Sequence, residues 1–234
     1  NFANDAFDFV KGADTETRLG PRRATAEGWG AARTMFFATF VAFACAVAVG
    51  AYLVWVGGWP IVVIGVLSVA SGVLYTGGPK PLAYVGLGDV FVLVFFGPVA
   101  VAGTYYVQTL TFSPVAAISG LAPGALATGI LAVNNLRDRH TDAPVGKRTL
   151  AVRFGPTFAR VEWAACALAA FAVAGGLSTV QPGAHWAQAA HPIAAVVGRG
   201  VLTTDGGALN PYMGRTAMLL LVYCALFSGG WAFW

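Results

Sequence analysis

The longest uncharged stretch of the chain constrains its fold more than any other feature. No Asp, Glu, Lys or Arg occurs between Val90 and Leu136. A membrane-crossing helix needs only about 20 mostly apolar residues, so this stretch is too long for one crossing, and three prolines interrupt it. We therefore predict two helices with a break near Thr111–Pro114. Charged residues make up 10% of the whole chain, well below the roughly 25% of a typical soluble domain.

Further apolar runs of similar length predict the remaining helices. With the two halves of 90–136, the candidates are Thr34–Gly58, Ile61–Gly78, Trp163–Val180, a weaker segment near Trp186–Val197, and Thr216–Trp234. The sequence thus predicts an all-α fold, a multi-pass transmembrane helical bundle of about seven helices. Residues 1–234 are expected to form one integral-membrane domain.

The positions of the charged residues predict how these helices are threaded. If segment 1–33 lies on one side, the alternation of seven helices brings Lys80, the 137–162 segment and the 199–215 segment back to that same side. The loops on the other side are then uncharged. An excess of Lys and Arg marks the cytoplasmic side, so we expect the charged loops at the cytoplasmic face of the cell membrane. A net charge of +4 without a dense basic stripe does not favour nucleic-acid binding.

The first polar cluster lies at the start of the chain, in NFANDAFDFVKGADTETRLG. On a helix, Asp5 and Asp8 share a face, as do Asn4 and Asp8. Asp14 follows after a break at Gly12. The basic residues that follow this cluster are Lys11 and Arg18.

The second cluster, NNLRDRHTDAPVGKR, has a similar order of residue types. Asn134, Asp138 and Asp142 recur every four residues and therefore share one helical face, and Pro144 and Gly146 are expected to end the helix. Its polar and basic neighbours are Asn135, Arg137, Lys147 and Arg148.

Both clusters are predicted at helix ends on one side of the membrane, where they indicate a site for a metal ion and a phosphorylated ligand. Carboxylate oxygens without His or Cys partners are typical of Mg²⁺, which also takes substrate phosphates as ligands. The predicted metal ligands are Asp5, Asp8, Asp138 and Asp142. The nearby Lys and Arg side chains suit the remaining phosphate charge. For Arg22, Arg23, Arg153 and Arg160 we favour a simpler interpretation as solvated charges that set the topology.

Asp89 stands apart because it opens a strongly apolar helix without a neutralising neighbour in sequence. Ionisable residues inside a membrane are expensive and usually functional. Two interpretations remain open from the sequence: a cap of the helix N-terminus, or a polar contact to the substrate or its hydroxyl proton.

Four stretches resemble those of UbiA-type intramembrane prenyltransferases: NDAFDFVKGADTETRLGP, YTGGPKPLAYVGLGDVFVLVFFG, NNLRDRHTDAPVGKRTLAVRFG and LNPYMGRTA. Within that superfamily they are most similar to the 1,4-dihydroxy-2-naphthoate polyprenyltransferases of menaquinone biosynthesis. The broader superfamily usually places its third acid at the position of Gly12, whereas the shift to Asp14 is the pattern of the naphthoate branch. The family has two more helices before its first motif, so we expect seven of nine helices and an N-terminally incomplete domain.

The resemblance implies a reaction and a set of residues. A polyprenyl group passes from polyprenyl diphosphate to 1,4-dihydroxy-2-naphthoate, with loss of carbon dioxide and pyrophosphate, to give demethylmenaquinone. Mg²⁺ is the implied cofactor and membrane lipid the surrounding partner. Asp89 and Lys80 are the implied catalytic residues. The implied substrate-binding residues are Asn4, Lys11, Asp14, Arg18, Tyr75, Asn134, Asn135, Arg137, Lys147 and Arg148.

Two alternatives stay open from the sequence. The first is a prenyltransferase of the same superfamily that acts on another aromatic acceptor, such as hydroxybenzoate or homogentisate. The second is a membrane carrier of ions or substrates that uses intramembrane carboxylates. Carrier sites usually lie near the bilayer midplane on broken helices, whereas the acids here are predicted at helix ends among basic residues.

Overall fold

The structure, a computed structural model, describes residues 2–10, 19–20, 24–25 and 31–234, without the side chains of Asn4, Ala6 and Asp8. Within that part of the chain all regular structure is helical, as predicted. The α-helices are α1 Phe2–Val10, α2 Ala32–Gly57, α3 Trp59–Thr76, α4 Gly88–Val94, α5 Ala100–Thr109, α6 Pro114–Asp142, α7 Leu150–Leu177, α8 His191–Thr203 and α9 Asn210–Phe233. A π-helical turn, Phe95–Val99, joins α4 to α5, and two 3₁₀ helices occupy Pro182–Ala190 and Gly206–Leu209.

Six described segments are long and apolar enough to cross a membrane: α2, α3, the α4–α5 rod, α6, α7, and α9 with the 3₁₀ turn before it. The break predicted within the longest apolar run is confirmed, because α5 ends at Thr109 and α6 begins at Pro114. The predicted multi-pass helical bundle is therefore confirmed.

The weak segment predicted near Trp186–Val197 is helical, but it is not among the six described segments that are long and apolar enough to cross a membrane. It combines the 3₁₀ helix of nine residues with α8 of thirteen residues, which together span about 37 Å at the rises of the two helix types. Gln181 Nε2 donates to Trp231 O at one end, and Thr204 O accepts a hydrogen bond from Arg160 at the other. The segment thus connects the two ends of the bundle even though α8 alone is too short to do so.

The core lies where α6 packs against α7 and α9. Leu126, Val133 and Leu136 of α6 are almost completely buried there, as are Trp163 of α7 and Leu219 of α9. The Trp163 Nε1–H donates to Thr216 Oγ1 at 3.2 Å, so the one polar atom of this large buried ring is satisfied. This packing fixes the position of α6, whose last turns carry the second acidic cluster.

The α4–α5 rod approaches α6 closely at three glycines. A Cβ atom on Gly124 would lie 2.8 Å from the Cα of Gly97, and one on Gly120 would lie 2.8 Å from the Cα of Pro98. Side chains would therefore separate the two backbones, and small residues at this spacing are typical of close helix packing in membranes. The contact holds α4, and with it Asp89, against α6.

We expect Gly124→Val to destabilise the bundle by at least about 1–3 kcal/mol, because the added atoms overlap the backbone of Leu93 and Gly97. Thermal unfolding in detergent measures the effect. Gly65→Val is the matched control, since Gly65 on α3 is exposed and has open space around its Cα. Equal melting temperatures for the two variants would contradict the close contact.

Candidate active site at the charged end of the bundle

Arg137 is the centre of the polar network at the end of α6. Its side chain is 1% exposed, and its guanidinium forms hydrogen bonds with four other residues. Two bonds of 2.7 and 2.6 Å reach the two carboxylate oxygens of Asp138, and bonds of 2.8 Å reach Asn134, Asn210 and Met213. Arg137 therefore joins α6 to α9 and holds the Asp138 carboxylate in a fixed orientation.

Asp138 and Asp142 lie one turn apart on α6, and each is 7% exposed. The predicted helix end is confirmed, because α6 ends at Asp142. The chain then turns back, so that Lys147 N–H donates to the Asp142 carbonyl and Lys147 Nζ lies 3.2 Å from Asp142 Oδ1. Two buried carboxylates and two cations thus occupy the last turn of α6 and the loop after it.

Asp89 of α4 is 4% exposed. It lies beside Asn135, about one turn of α6 before Asp138. Asn135 Nδ2 donates to Asp89 Oδ1 at 3.4 Å. The N-cap of α4 is Leu87, whose side chain makes no capping bond, and Asp89 lies in the first turn of this helix. Since the Asp89 carboxylate also faces Asn135, both interpretations of Asp89 stay predictions. Tyr75 lies close to the start of α4, because its hydroxyl is 3.2 Å from the position that a Cβ atom on Gly88 would take.

Asp5 on α1 is also buried, and its carboxylate accepts backbone N–H bonds from Ala24 at 3.1 Å and Thr25 at 3.2 Å. These bonds tie α1 to the segment that leads to α2. The structure does not describe the side chains of Asn4 and Asp8. The other predicted residues of the first cluster, Lys11, Asp14 and Arg18, lie outside the described residues.

The predicted magnesium ligands fit Mg²⁺ by chemistry, since they offer carboxylate oxygens alone. Among the residues that the structure describes, no group of three His, Cys, Asp or Glu side chains lies close enough to hold a metal ion. Asp138 and Asp142 face Arg137 and Lys147, and Asp5 binds backbone amides. The magnesium site stays a prediction that requires the Asp8 side chain as well.

Two loops meet at this end of the bundle and carry the remaining predicted cations. The Arg148 N–H donates to Tyr84 O at 2.9 Å, and Arg153 donates to Val85 O at 2.9 Å and to Arg148 O at 3.0 Å. These bonds dock the 77–87 loop on the 143–149 loop. Arg153 is exposed, as expected for a solvated charge, but it also holds the two loops together. Lys80 and Arg148 themselves are exposed.

Arg139 and Asp205 close the charged end between α6 and the turn before α9. The guanidinium of Arg139 donates to both carboxylate oxygens of Asp205. This hydrogen bonding is the main reason why the pKa of Asp205 is lowered from 3.8 to about 2. Because the folded pKa is the lower one, the pair stabilises the fold above the unfolded pKa and loses that contribution as the pH falls towards about 2.

We expect the melting temperature of Asp205→Asn to depend less on pH in acid than that of the native protein. The melting temperature of the native protein should fall more steeply than that of the variant between about pH 4 and about pH 2. At neutral pH the difference should be small, because the Asp205 side chain is 49% exposed and exposed ion pairs contribute little. Differential scanning fluorimetry across this range checks the prediction, and parallel profiles would refute it.

Asn210 and Met213 are network members that sequence reasoning missed. Both bind Arg137, and Asn210 Nδ2 also donates to Leu19 O at 2.9 Å. The available signal was the stretch LNPYMGRTA, whose residues carried part of the family resemblance without an assigned role. Their contribution becomes visible only when α9 is placed against α6.

A helical bundle with six apolar segments long enough to cross a membrane, and with buried acids and bases gathered at one end, is a multi-pass membrane protein with a polar site at that end. Residues 1–208 match the UbiA prenyltransferase family, to which the chain therefore belongs. The resemblance predicted from the four sequence stretches is thus confirmed.

Relatives of known description are named 1,4-dihydroxy-2-naphthoate octaprenyltransferase. The chain is 35% identical to the one from Mycobacterium tuberculosis over 234 residues, which is 100% of this chain and 80% of that protein. It is 38% identical to the one from Haemophilus influenzae over 190 residues (76% and 62%) and 39% identical to the one from Escherichia coli over 174 residues (72% and 56%). The matches thus cover between about half and four fifths of these relatives.

Proposed function

We propose that the protein transfers a polyprenyl group from polyprenyl diphosphate to 1,4-dihydroxy-2-naphthoate, with loss of carbon dioxide and pyrophosphate, to give demethylmenaquinol, the hydroquinone form of demethylmenaquinone. One structural observation carries the proposal: the buried cluster of Asp138, Arg137, Asp142 and Lys147 at the end of an apolar bundle. An amphiphile with a charged head and a long apolar tail suits such a site. The reaction agrees with the names of the relatives.

The proposed head-group site combines acids and bases for different parts of the ligand. Mg²⁺, held by Asp5, Asp8, Asp138 and Asp142, would neutralise diphosphate charge and thereby favour its departure. Lys147 lies beside Asp142, and the exposed Lys80 and Arg148 lie at the same end of the bundle. These cations can bind the remaining phosphate oxygens.

The chemical step needs both charge stabilisation and the exclusion of water. The bond between the first prenyl carbon and the diphosphate oxygen breaks, and the oxygen keeps the electron pair. The ring carbon that bears the carboxylate then forms the new bond. The bond from this carbon to the carboxylate breaks, carbon dioxide leaves, and the electron pair of that bond restores the aromatic ring of the hydroquinone. The apolar helices exclude water that would otherwise capture the allylic cation.

Asp89 and Asn135 offer a second polar position for the aromatic acceptor. They lie on α4 and α6, about one turn further into the bundle than Asp138. Tyr75 lies near Gly88 at the start of α4 and also lines an apolar cavity of about 680 Å³. We propose that Asp89 accepts a hydrogen bond from a ring hydroxyl of the acceptor and orients the ring for attack.

We place the charged end of the bundle at the cytoplasmic face of the cell membrane. Lys80, Arg139, Lys147, Arg148 and Arg153 all lie at this end, and an excess of Lys and Arg marks the cytoplasmic side. Membrane lipid surrounds the exposed apolar faces, such as that of α2.

Release of pyrophosphate tests the proposed class of activity. The full-length protein in lipid nanodiscs, given Mg²⁺, a polyprenyl diphosphate and dihydroxynaphthoate, should release pyrophosphate, and chelation by EDTA should stop it. A carrier would bind or move a ligand without this release. Replacing the acceptor by 4-hydroxybenzoate or homogentisate tests the choice of acceptor, and equal or faster release with either would contradict it.

We expect Lys147→Ala to raise the KM for the prenyl diphosphate by about tenfold, since a hydrogen bond to a charged group contributes about 1.5–3 kcal/mol. The KM for dihydroxynaphthoate should change little. Steady-state kinetics with each substrate varied in turn measures both values. Arg153→Ala is the control, because Arg153 binds backbone carbonyls instead. An unchanged KM for the diphosphate would exclude Lys147 from the head-group site.

A further inference from the structure

A cleft of about 350 Å³ lies on the outside of the bundle, between α8 and α9. Five of its lining residues are apolar and the sixth is an arginine: Pro192, Ile193, Val196 and Val197 of α8, with Arg215 and Met218 of α9. Val196 and Met218 are exposed. Because α9 belongs to a segment long and apolar enough to cross a membrane, we expect lipid rather than water outside this cleft.

Arg215 lies at the end of the cleft that is nearer the charged end of the bundle. It follows Asn210, the first residue of α9, by five residues, which is about 7.5 Å along the helix. Its guanidinium carbon lies 4.8 Å from the centre of the Tyr212 ring. That ring contacts α8 so closely that a Cβ atom on Gly200 would overlap it. The Arg215 cation is therefore held beside the contact between α8 and α9.

Arg199 of α8 adds a second cation on the same side of this contact. It follows the cleft residue Val196 by three residues, so the two side chains share a helical face. Arg199 is exposed, and α8 ends four residues later at Thr203, about 6 Å along the helix. From these positions both arginine side chains can extend to the polar layer of the membrane at the charged end.

Neither arginine has an acidic partner among the residues that the structure describes. The ion pairs of that part of the chain include neither Arg199 nor Arg215. Asp205, the acid that follows α8, is bound by Arg139 instead. Ionisable side chains within membrane-crossing segments usually have a partner, because their charge is otherwise costly. The two arginines thus leave a positive charge that a bound anion can balance.

We propose that this cleft binds an anionic phospholipid, with the phosphate at Arg199 and Arg215 and an acyl chain along Val196, Ile193 and Met218. Basic pockets between membrane helices bind acidic lipid head groups in this way. A phospholipid matches both the cations and the apolar lining, whereas a soluble phosphate matches the cations alone. The inference goes beyond the proposed function and does not depend on it.

A lipid at this position has a structural consequence for α9. It would contact both α8 and α9, and α9 carries Asn210 and Met213, which bind Arg137. We therefore expect an anionic phospholipid to hold α9 in place and to raise the melting temperature of the protein. A zwitterionic phospholipid should do so less, because its cationic group would lie close to the two arginines.

Binding to two lipids that differ only in head group tests the proposal. Native mass spectrometry of the full-length protein in detergent gives the Kd for the first phosphatidylglycerol or phosphatidylcholine that binds. Each cation near a membrane surface strengthens anionic lipid binding about fivefold, so phosphatidylglycerol should bind about 25-fold more tightly. Arg199→Gln and Arg215→Gln should each reduce this preference about fivefold, and the double variant should abolish it.

Arg33→Gln is the matched control for these variants. It removes one charge from an exposed arginine near the start of α2, at the same end of the bundle but outside the cleft lining, so the preference should stay unchanged. Glycerol phosphate, which offers the anion without acyl chains, should not displace the bound lipid. Displacement by glycerol phosphate would show a simple anion site and overturn the lipid assignment.

Two further results would contradict the proposal. Equal affinity for phosphatidylglycerol and phosphatidylcholine would show that the cleft does not select an anionic lipid. An unchanged preference in the Arg199→Gln and Arg215→Gln double variant would place the anionic lipid elsewhere on the protein. Phosphatidylglycerol should also raise the melting temperature of the native protein more than that of the double variant, and equal increases would exclude a lipid that links α8 to α9.

Discussion

Replacing Asp138 by Asn is expected to reduce turnover by about 10²–10³-fold, the loss typical of removing one preorganised electrostatic group from an active site. Asn keeps the shape of the side chain and one oxygen that can accept the Arg137 hydrogen bond, but it removes the charge that a metal–diphosphate complex requires. The loss should appear in kcat as well as in kcat/KM. Initial rates of prenyl transfer at saturating Mg²⁺ measure it.

The choice of Asn follows from the structure. Asp138→Ala would leave the buried Arg137 without two hydrogen bonds, so a loss of activity could then reflect unfolding. Asp138→Asn also leaves the buried Arg137 without its counter-charge, so we expect a lower melting temperature as well. Turnover is therefore measured well below the melting temperature of the variant, which separates chemistry from stability. Asp205→Asn is the matched control at the same end of the bundle and should retain most of the activity. Native-like turnover by Asp138→Asn would exclude Asp138 as a metal ligand.

Arg137→Ala is expected to destabilise the protein by about 3–5 kcal/mol, the usual effect of removing one partner of a buried ion pair. The substitution leaves the Asp138 carboxylate without its cation and removes the bonds to Asn134 and Asn210. Since Asn210 and Met213 belong to α9, the contact between α6 and α9 should weaken as well. Unfolding by heat or denaturant in a defined detergent measures the change.

Arg148, an exposed arginine at the same end of the bundle, provides the control for this prediction. Arg148→Ala removes the same charge from the same end of the bundle, but the Arg148 side chain is exposed and its described hydrogen bonds come from its backbone. Its effect on stability should stay within about 0.5 kcal/mol, as for most surface substitutions. Similar unfolding curves for the two variants would show that Arg137 does not hold α6 and α9 together.

The sequence predicted the helices well because membrane crossings leave a strong local signal. The break before Pro114 and the end of α6 at Asp142 both follow from residues next to the boundary. The 3₁₀ helix followed by α8 was predicted only as a weak segment. Its first half is a 3₁₀ helix packed on α9, where a side chain on Gly183 would overlap Gly230, and such a contact has no signal within the segment itself.

The candidate site was only partly predictable, for a related reason. Asn134, Asp138 and Asp142 share a helical face by spacing alone, so their grouping could be read from the sequence. The partners of Arg137 on α9 lie 73 and 76 residues away, and helical periodicity cannot relate residues on different helices. The same limit hid the contact between Asp89 and Asn135, which lie 46 residues apart on α4 and α6.

The product of the reaction tests the assigned function most directly. The full-length protein in nanodiscs is incubated with Mg²⁺, a polyprenyl diphosphate and 1,4-dihydroxy-2-naphthoate, and the lipid extract is analysed by mass spectrometry. We predict a decarboxylated prenyl-naphthohydroquinone, or the quinone that air forms from it during extraction, that disappears on chelation of Mg²⁺ and in Asp138→Asn. Absence of this product, while another aromatic acid is prenylated under the same conditions, would contradict the assigned acceptor. Absence of any prenylated product would contradict the assignment as a prenyltransferase.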